Sequence, residues 1–117
     1  MRERKIINVG LAALFAAAAA GLAMHKARAD DNVSIALTIK NHQFDPAETH
    51  APAGKQIVFH VKNLNDIVSE FESSDLHFEK IVPAGTEAVV YVHPLKPGRY
   101  NYYDDFHHAT QGYLVVQ

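Results

Sequence analysis

The chain has 117 residues, no cysteine and no tryptophan, and a formal net charge of −2 with neutral histidine. That length suits one small domain, and without cysteine neither a disulfide nor a thiolate-bound metal is available to it. Exported domains of this size often rely on disulfides, so packing alone must hold this one together.

Residues 1–29 carry a secretory signature. Arg2, Arg4 and Lys5 form a positive start, Ile6 to Ala23 an apolar run, and Ala27-Arg28-Ala29 a small-residue cleavage site. The run is close to bilayer-spanning length, so an uncleaved anchor is the competing reading. Its alanine content and the A-x-A ending favour cleavage after Ala29 and a periplasmic product, residues 30–117. Arg2-Glu3-Arg4-Lys5 lacks the adjacent arginines of a twin-arginine signal. Removal takes five of 11 basic and one of 13 acidic residues, leaving six against twelve, a net of −6. Such a product is a poor ligand for nucleic acid or an anionic membrane. It suits cations, although net charge also simply keeps a small domain soluble.

From Val33 the pattern has period two, with Val33, Ile35, Leu37 and Ile39 on one face of a strand. Asn41 to Pro46 breaks it, and Pro52-Ala53-Gly54 is a turn. Lys55 to Lys62 forms a second strand with Ile57, Phe59 and Val61 on one face. Ile67 to Glu72, His77 to Val82, Glu87 to Val92, Arg99 to Tyr103 and Gly112 to Gln117 follow as further strands, separated by turn residues. Asp104 to Gln111 reads as a loop with room for one helical turn. Short strands with turn signals at intervals of roughly ten residues predict a sandwich or barrel.

The segment Tyr100-Asn-Tyr-Tyr-Asp104-Asp105-Phe-His107-His108-Ala-Thr110-Gln-Gly112 resembles the copper loop of a cupredoxin with aspartate in place of cysteine. Other elements agree in order. Phe44-Asp45-Pro46 with Pro52-Ala53-Gly54 matches the opening "F-x-P…AG", and Asn63 with Ser69-Glu70-Phe71 matches "N…H-E-F", serine replacing the first histidine. Leu95-Lys96-Pro97-Gly98-Arg99-Tyr100 matches "L-x-P-G-x-Y", and Gly112 to Val116 the closing "G-x-L-x-V". Thr110 falls where the axial methionine often sits, and Met1 and Met24 both lie in the signal. The resemblance implies an all-β, cupredoxin-like Greek-key β-sandwich of seven to eight strands, preceded by a signal-peptide helix. It also excludes a type 1 blue-copper electron carrier, because three of the four ligands of such a site are missing.

The departures are similar to the cupredoxin-like domain of EfeO-type periplasmic proteins, and to stand-alone periplasmic cupredoxins associated with bacterial ferrous-iron permease systems. That resemblance implies a copper or iron cofactor, an iron permease or other uptake component as partner, and assistance to ferrous-iron oxidation before uptake. It places ligands at Glu70 and Asp104. Some EfeO-type domains carry cysteines at the positions of Phe44 and Asp104, where this chain departs from them.

Residue by residue, the metal candidates are Glu70, Asp104 and His107, with Glu72 and Asp105 in support and His42 and His77 as weaker additions. An oxygen–nitrogen set suits Cu(II), iron or zinc. Glu70 and Glu72 share a strand face, and two adjacent carboxylates repel unless a positive charge lies between them. Lys62 or Lys80 supplies that charge in the alternative reading. Likewise Asp104 and Asp105 read alternatively as turn residues accepting backbone N–H groups, with His107 solvated. His50, His60 and His93 read as surface residues, and Tyr100, Tyr102, Tyr103 and Tyr113 as core and edge residues of the sandwich. Three functional classes follow: a metal-binding component of iron uptake, a metal-free docking module for a periplasmic or permease partner, and an acid–base enzyme. No Ser–His–Asp order or H-x-x-x-H signature supports the last, and any enzymatic role is at most that of a ferrous-iron oxidation component.

Overall fold

Alternating burial along the chain builds nine strands, and the two sheets they form close on one aromatic core. The structure is a computed structural model that describes residues 32–117; the expected signal peptide lies outside the described residues. The strands are β1 (Asn32–Lys40), β2 (Gln43–Asp45), β3 (Glu48–Ala51), β4 (Gln56–Asn63), β5 (Ser69–Ser73), β6 (Phe78–Val82), β7 (Glu87–Val92), β8 (Gly98–Asp104) and β9 (His107–Val116). One sheet has the order β2-β1-β4-β7 and the other β3-β9-β8-β5-β6. β1 runs parallel to β4 and β3 parallel to β9, the other pairs being antiparallel.

The all-β sandwich matches the expectation from the sequence, with nine strands rather than seven or eight. The additional strands are short and polar. β2 returns from β1 through a turn of Asn41 and His42, where a plain break was expected, and β3 carries only Glu48-Thr-His-Ala51. The stretch from Asp104 to Gln111, expected as a loop, is mostly strand. Asp104 pairs with His107 across a tight turn of Asp105 and Phe106, with an irregularity of register beside it. β6 begins at Phe78 rather than His77, because His77 sits in the preceding turn with φ of 60°.

Leu37, Ile39, Ile57, Phe59, Val61, Phe71, Tyr102 and Leu114 are almost wholly buried between the sheets. Phe44, Phe59, Phe71 and Tyr102 meet edge to face with ring centroids 5.0–5.8 Å apart, the arrangement favoured by the ring quadrupole. The Tyr102 hydroxyl stays partnered in the core by the Thr49 hydroxyl at 3.3 Å. Gly112 lies opposite Tyr102 on β9. A Cβ there would stand 2.3 Å from the Tyr102 ring, so only glycine lets the two strands close over that ring.

Gly112→Ala therefore forces the Tyr102 ring off its site, at a cost of about 1–3 kcal/mol, the range for overpacking a core. Denaturant unfolding measures it; an unchanged midpoint shows that the ring has room to move.

Candidate metal centre

The pleat of β5 sorts the candidate residues. Ser69, Phe71 and Ser73 are buried in the sandwich, while Glu70 and Glu72 stand half-buried on the solvent face. β6 places Glu79 directly opposite Glu72, and β8 places Tyr103 opposite Glu72 on its other side. Carboxylate oxygens of Glu70, Glu72 and Glu79 come within 4.8 Å of one another. Like charges directly opposite on paired strands destabilise a sheet, so this grouping costs free energy unless a cation offsets it. Among the described residues, no lysine or arginine lies within 4.0 Å of any of the three. Lys62 and Lys80 thus do not supply the neutralising contact.

Two neighbours join this face. The Tyr103 hydroxyl donates a short hydrogen bond to Glu72 Oε2, which raises the phenol above its ordinary range. Asp105, in the β8–β9 turn, has its backbone N–H bonded to the Glu70 carbonyl at 2.9 Å, and its carboxylate bonds the exposed His108 ring at 3.0 Å. The Glu70 carboxyl is pushed above the ordinary glutamate value, by desolvation first, then by its contact with Asp105 and by the charges of Glu72, Glu79 and Asp105. His77 and Glu79 border the same open depression as Glu72.

Asp104 faces the other way. It is 2% exposed, and its Oδ1 accepts the backbone N–H groups of Glu70 and Phe106, each at 3.0 Å. This is the hydrogen bonding of a turn carboxylate, and it anchors β5 to the β8–β9 turn. Ser69, at the first-histidine position, is fully buried with an unpartnered hydroxyl. His107 stacks on His42, ring centroids 4.1 Å apart and planes 18° from parallel.

The structure therefore gathers Glu70 and Glu72 with Asp105 nearby, and sets Asp104 and the His42–His107 pair at the end of the sandwich. Glu79, not among the metal candidates drawn from the sequence, and Tyr103, read there as a core or edge residue, belong to the carboxylate face. The symmetric spacing of Glu72 and Glu79 about the hairpin was the signal for the first. Of the remaining histidines, His50 lies 3.2 Å from Glu48 and His60 3.5 Å from Glu87, both as exposed pairs.

No thiolate or thioether donor is present among the described residues, so the donor set does not fit a blue-copper centre. The carboxylates of Glu70, Glu72 and Glu79 fit a cation bound through oxygen.

Residues 10–116 match the cupredoxin-like domain family. An uncharacterized protein of Rickettsia prowazekii is 40% identical over 91 residues, covering 76% of this chain and 73% of that protein. In fold, the chain is similar to auracyanin A, a "blue" copper protein of Chloroflexus aurantiacus, with a TM-score of 0.63 and 17% identity over 74% of this chain and 99% of that one. It is similar also to a purple cupredoxin of Nitrosopumilus maritimus, with a TM-score of 0.56 and 20% identity over 70% and 98%. A third similar structure is the metal-binding domain of a Cu(I)-exporting ATPase of Streptococcus pneumoniae, with a TM-score of 0.67 and 13% identity over 75% and 88%. The chain belongs to the cupredoxin-like domain family.

Two outcomes test this geometry. Asp104→Ala strands two backbone donors and costs about 2–4 kcal/mol, at the level of hydrogen bonds to a charged group. Asp104→Asn, which keeps an acceptor oxygen, costs clearly less in the same unfolding measurement; equal losses would mean that the two bonds do not hold the turn. The second outcome concerns pH. Because the folded chain binds a proton at Glu70 more tightly than the unfolded chain does, the contribution of this group is fully present below the ordinary glutamate pKa, about 4.3. It is lost as pH rises through the higher folded value and stays lost at neutrality. Glu70→Gln therefore raises the thermal midpoint at pH 7 in chelator, and the difference shrinks toward pH 4. A variant no more stable than wild type at pH 7 contradicts the repulsion.

Proposed function

We propose that this cupredoxin-like chain is an exported periplasmic metal-binding protein. It takes copper or iron through the carboxylates of Glu70, Glu72 and Glu79 with Asp105 beside them, and assists ferrous-iron oxidation before uptake by an iron permease. The observation that carries the reading is the convergence of three carboxylates across β5 and β6 with no cationic side chain of the described residues in salt-bridge contact with them. Hard oxygen donors favour Fe(III) over Fe(II), and a copper ion held there would supply a one-electron acceptor, going from Cu(II) to Cu(I) as Fe(II) becomes Fe(III). The protein's own part is to hold the donors. β5 fixes Glu70 and Glu72 on one face, β6 sets Glu79 against them, and Asp104, by binding the Glu70 N–H, fixes where β5 meets the turn that carries Asp105. Similarity to the EfeO-type domains and to the cupredoxins of ferrous-iron permease systems supports the iron role.

A second reading, a metal-free docking module for a permease or periplasmic partner, is favoured by the exposed apolar residues Ile67, Val68 and Phe106.

Purified chain stripped with chelator and titrated calorimetrically with Cu(II) or Fe(II) is expected to bind with a Kd in the micromolar range or tighter. Glu70→Gln with Glu72→Gln should weaken the carboxylate site by about tenfold or more, the scale of roughly 1.4 kcal/mol or above, with the β-sheet circular dichroism retained. A double variant that binds both metals as wild type does overturns the assignment. If it also supports normal iron uptake in cells, the docking reading stands in its place.

A further inference from the structure

The two sheets end in four edge strands, β2, β7, β3 and β6, and three of them are guarded. β2 is only three residues long and runs straight into Pro46. β3 carries Glu48 and His50, with Arg99 bonded to Glu48 at 2.9 Å. β6 carries Glu79 and Lys80, both exposed. Short length, proline and charge are the devices by which sheet edges avoid pairing with other chains. β7 has none of them along its length. It reads Glu87-Ala-Val-Val-Tyr-Val92, and its one charge stands at the start. The run from Val89 to Val92 is wholly β-branched or aromatic, the composition that favours strand pairing.

The outer side of β7 is also open. β7 pairs with β4 alone, and no further backbone bond among the described residues reaches Glu87 to Val92. In an antiparallel ladder every second residue turns its N–H and C=O away from a given neighbour. β7 therefore presents a row of unpaired backbone groups along its free edge. At one end, a groove of about 340 Å3 separates Tyr91 and Val92 from the turn of Asp75 to Phe78, so nothing described covers that side. The outward side chains are apolar as well: Val89 is 37% exposed and Tyr91 66%.

The sequence of β7 complements itself under a two-fold axis. Antiparallel copies set residues of the same face opposite each other, so an axis through Val90 puts Val89 opposite Tyr91 of the second copy. An aromatic against a β-branched residue is a favourable cross-strand pair, and the axis makes it twice. The same register sets Ala88 opposite Val92 on the core side. Carried one residue past the strand, it brings Glu87 opposite His93, an exposed carboxylate against an exposed imidazole at both ends. Glu87 already meets His60 of β4 at 3.5 Å on its inner side. Neighbouring registers lose this match. An axis through Val89 sets Glu87 opposite Tyr91, and an axis through Tyr91 sets Val89 opposite His93.

We propose that β7 is a homodimer interface. Two copies of this chain pair antiparallel through β7 about Val90, and their four-stranded sheets join into one continuous sheet. A second copy fits better than an unrelated strand because this sequence itself supplies both the apolar and the charged complement. An edge of six residues makes a small interface, below the size of permanent dimers, so the pairing is reversible. Glu70, Glu72 and Glu79 belong to β5 and β6 of the other sheet. The dimer therefore leaves them free, and the inference does not rest on the carboxylate reading.

The test is sedimentation equilibrium of the full chain in chelator, which removes any metal bridging two carboxylate faces. Between about 1 and 100 μM, the span of weak to moderate affinities, wild type should pass from the mass of one chain toward that of two. Val89→Lys with Tyr91→Lys puts like charges directly opposite in the pair. It should weaken association about tenfold or more with the β-sheet circular dichroism retained. Glu87→Lys should weaken it too, and adding His93→Glu should restore it, because the two ends then exchange charge. Amide hydrogen exchange at residues 88–92 should slow as concentration rises. A wild-type chain that stays monomeric at about 100 μM overturns the interface. So does undiminished association with both lysines present, which would assign the contact to another surface or to the apolar N-terminal segment. A Glu87→Lys chain that His93→Glu does not restore overturns the register about Val90.

Discussion

One carboxylate holds β5 and the β8–β9 turn of this molecule in register. Asp104 is withdrawn from solvent and bonded to the N–H groups of Glu70 and Phe106. The first bond ties β8 to β5 and the second closes the β8–β9 turn. A buried charge is tolerated only when its oxygens are well partnered, so the folded arrangement of this end and the satisfaction of Asp104 are the same event. Glu70 and Asp105 reach the outer face from one side of this junction, and His107 follows it on the other. The aspartate that stands in the place of a thiolate is thus the scaffold on which the remaining donors are arranged.

The pleat then divides what sequence alone groups together. Glu70, Asp104 and His107 stand within 38 positions of one another in a chain order that suggests a single shell. In the sandwich, adjacent positions on β5 face opposite ways, so Ser69 and Glu70 contribute to different environments. The result is a hard, oxygen-rich face on the sheet and an imidazole pair at its end. Oxygen donors favour hard cations of high charge, whereas the two imidazoles are stacked on each other.

Much of the scaffold was legible in the sequence. The alternation of Val33, Ile35, Leu37 and Ile39, and of Ile57, Phe59 and Val61, fixes which faces are buried, and the shared face of Glu70 and Glu72 follows from the same period. Glu79 was harder to place because its approach to Glu72 depends on the register of β5 with β6, and register is set by the turn between them rather than by either strand. The length of the β8–β9 turn was overestimated for a related reason: His107 to Gln111 is too polar to announce itself as strand, and it is held by pairing with β8. His42 was named from the sequence as a weaker metal candidate, but its left-handed turn conformation was not, since the segment from Asn41 to Pro46 read only as a break in the strand.

The position of β6 gives the carboxylates another role. β6 is the edge of its five-stranded sheet, and an open edge is a template on which other chains can pair. Glu79 and the neighbouring Lys80, both exposed, place charges of opposite sign along that edge. A cation held by Glu72 and Glu79 would cancel part of this charge and leave the lysine as the guard. Were metal held there, the colloidal behaviour of the protein would be tied to its metal load, and Glu79 would bear on solubility as well as on affinity.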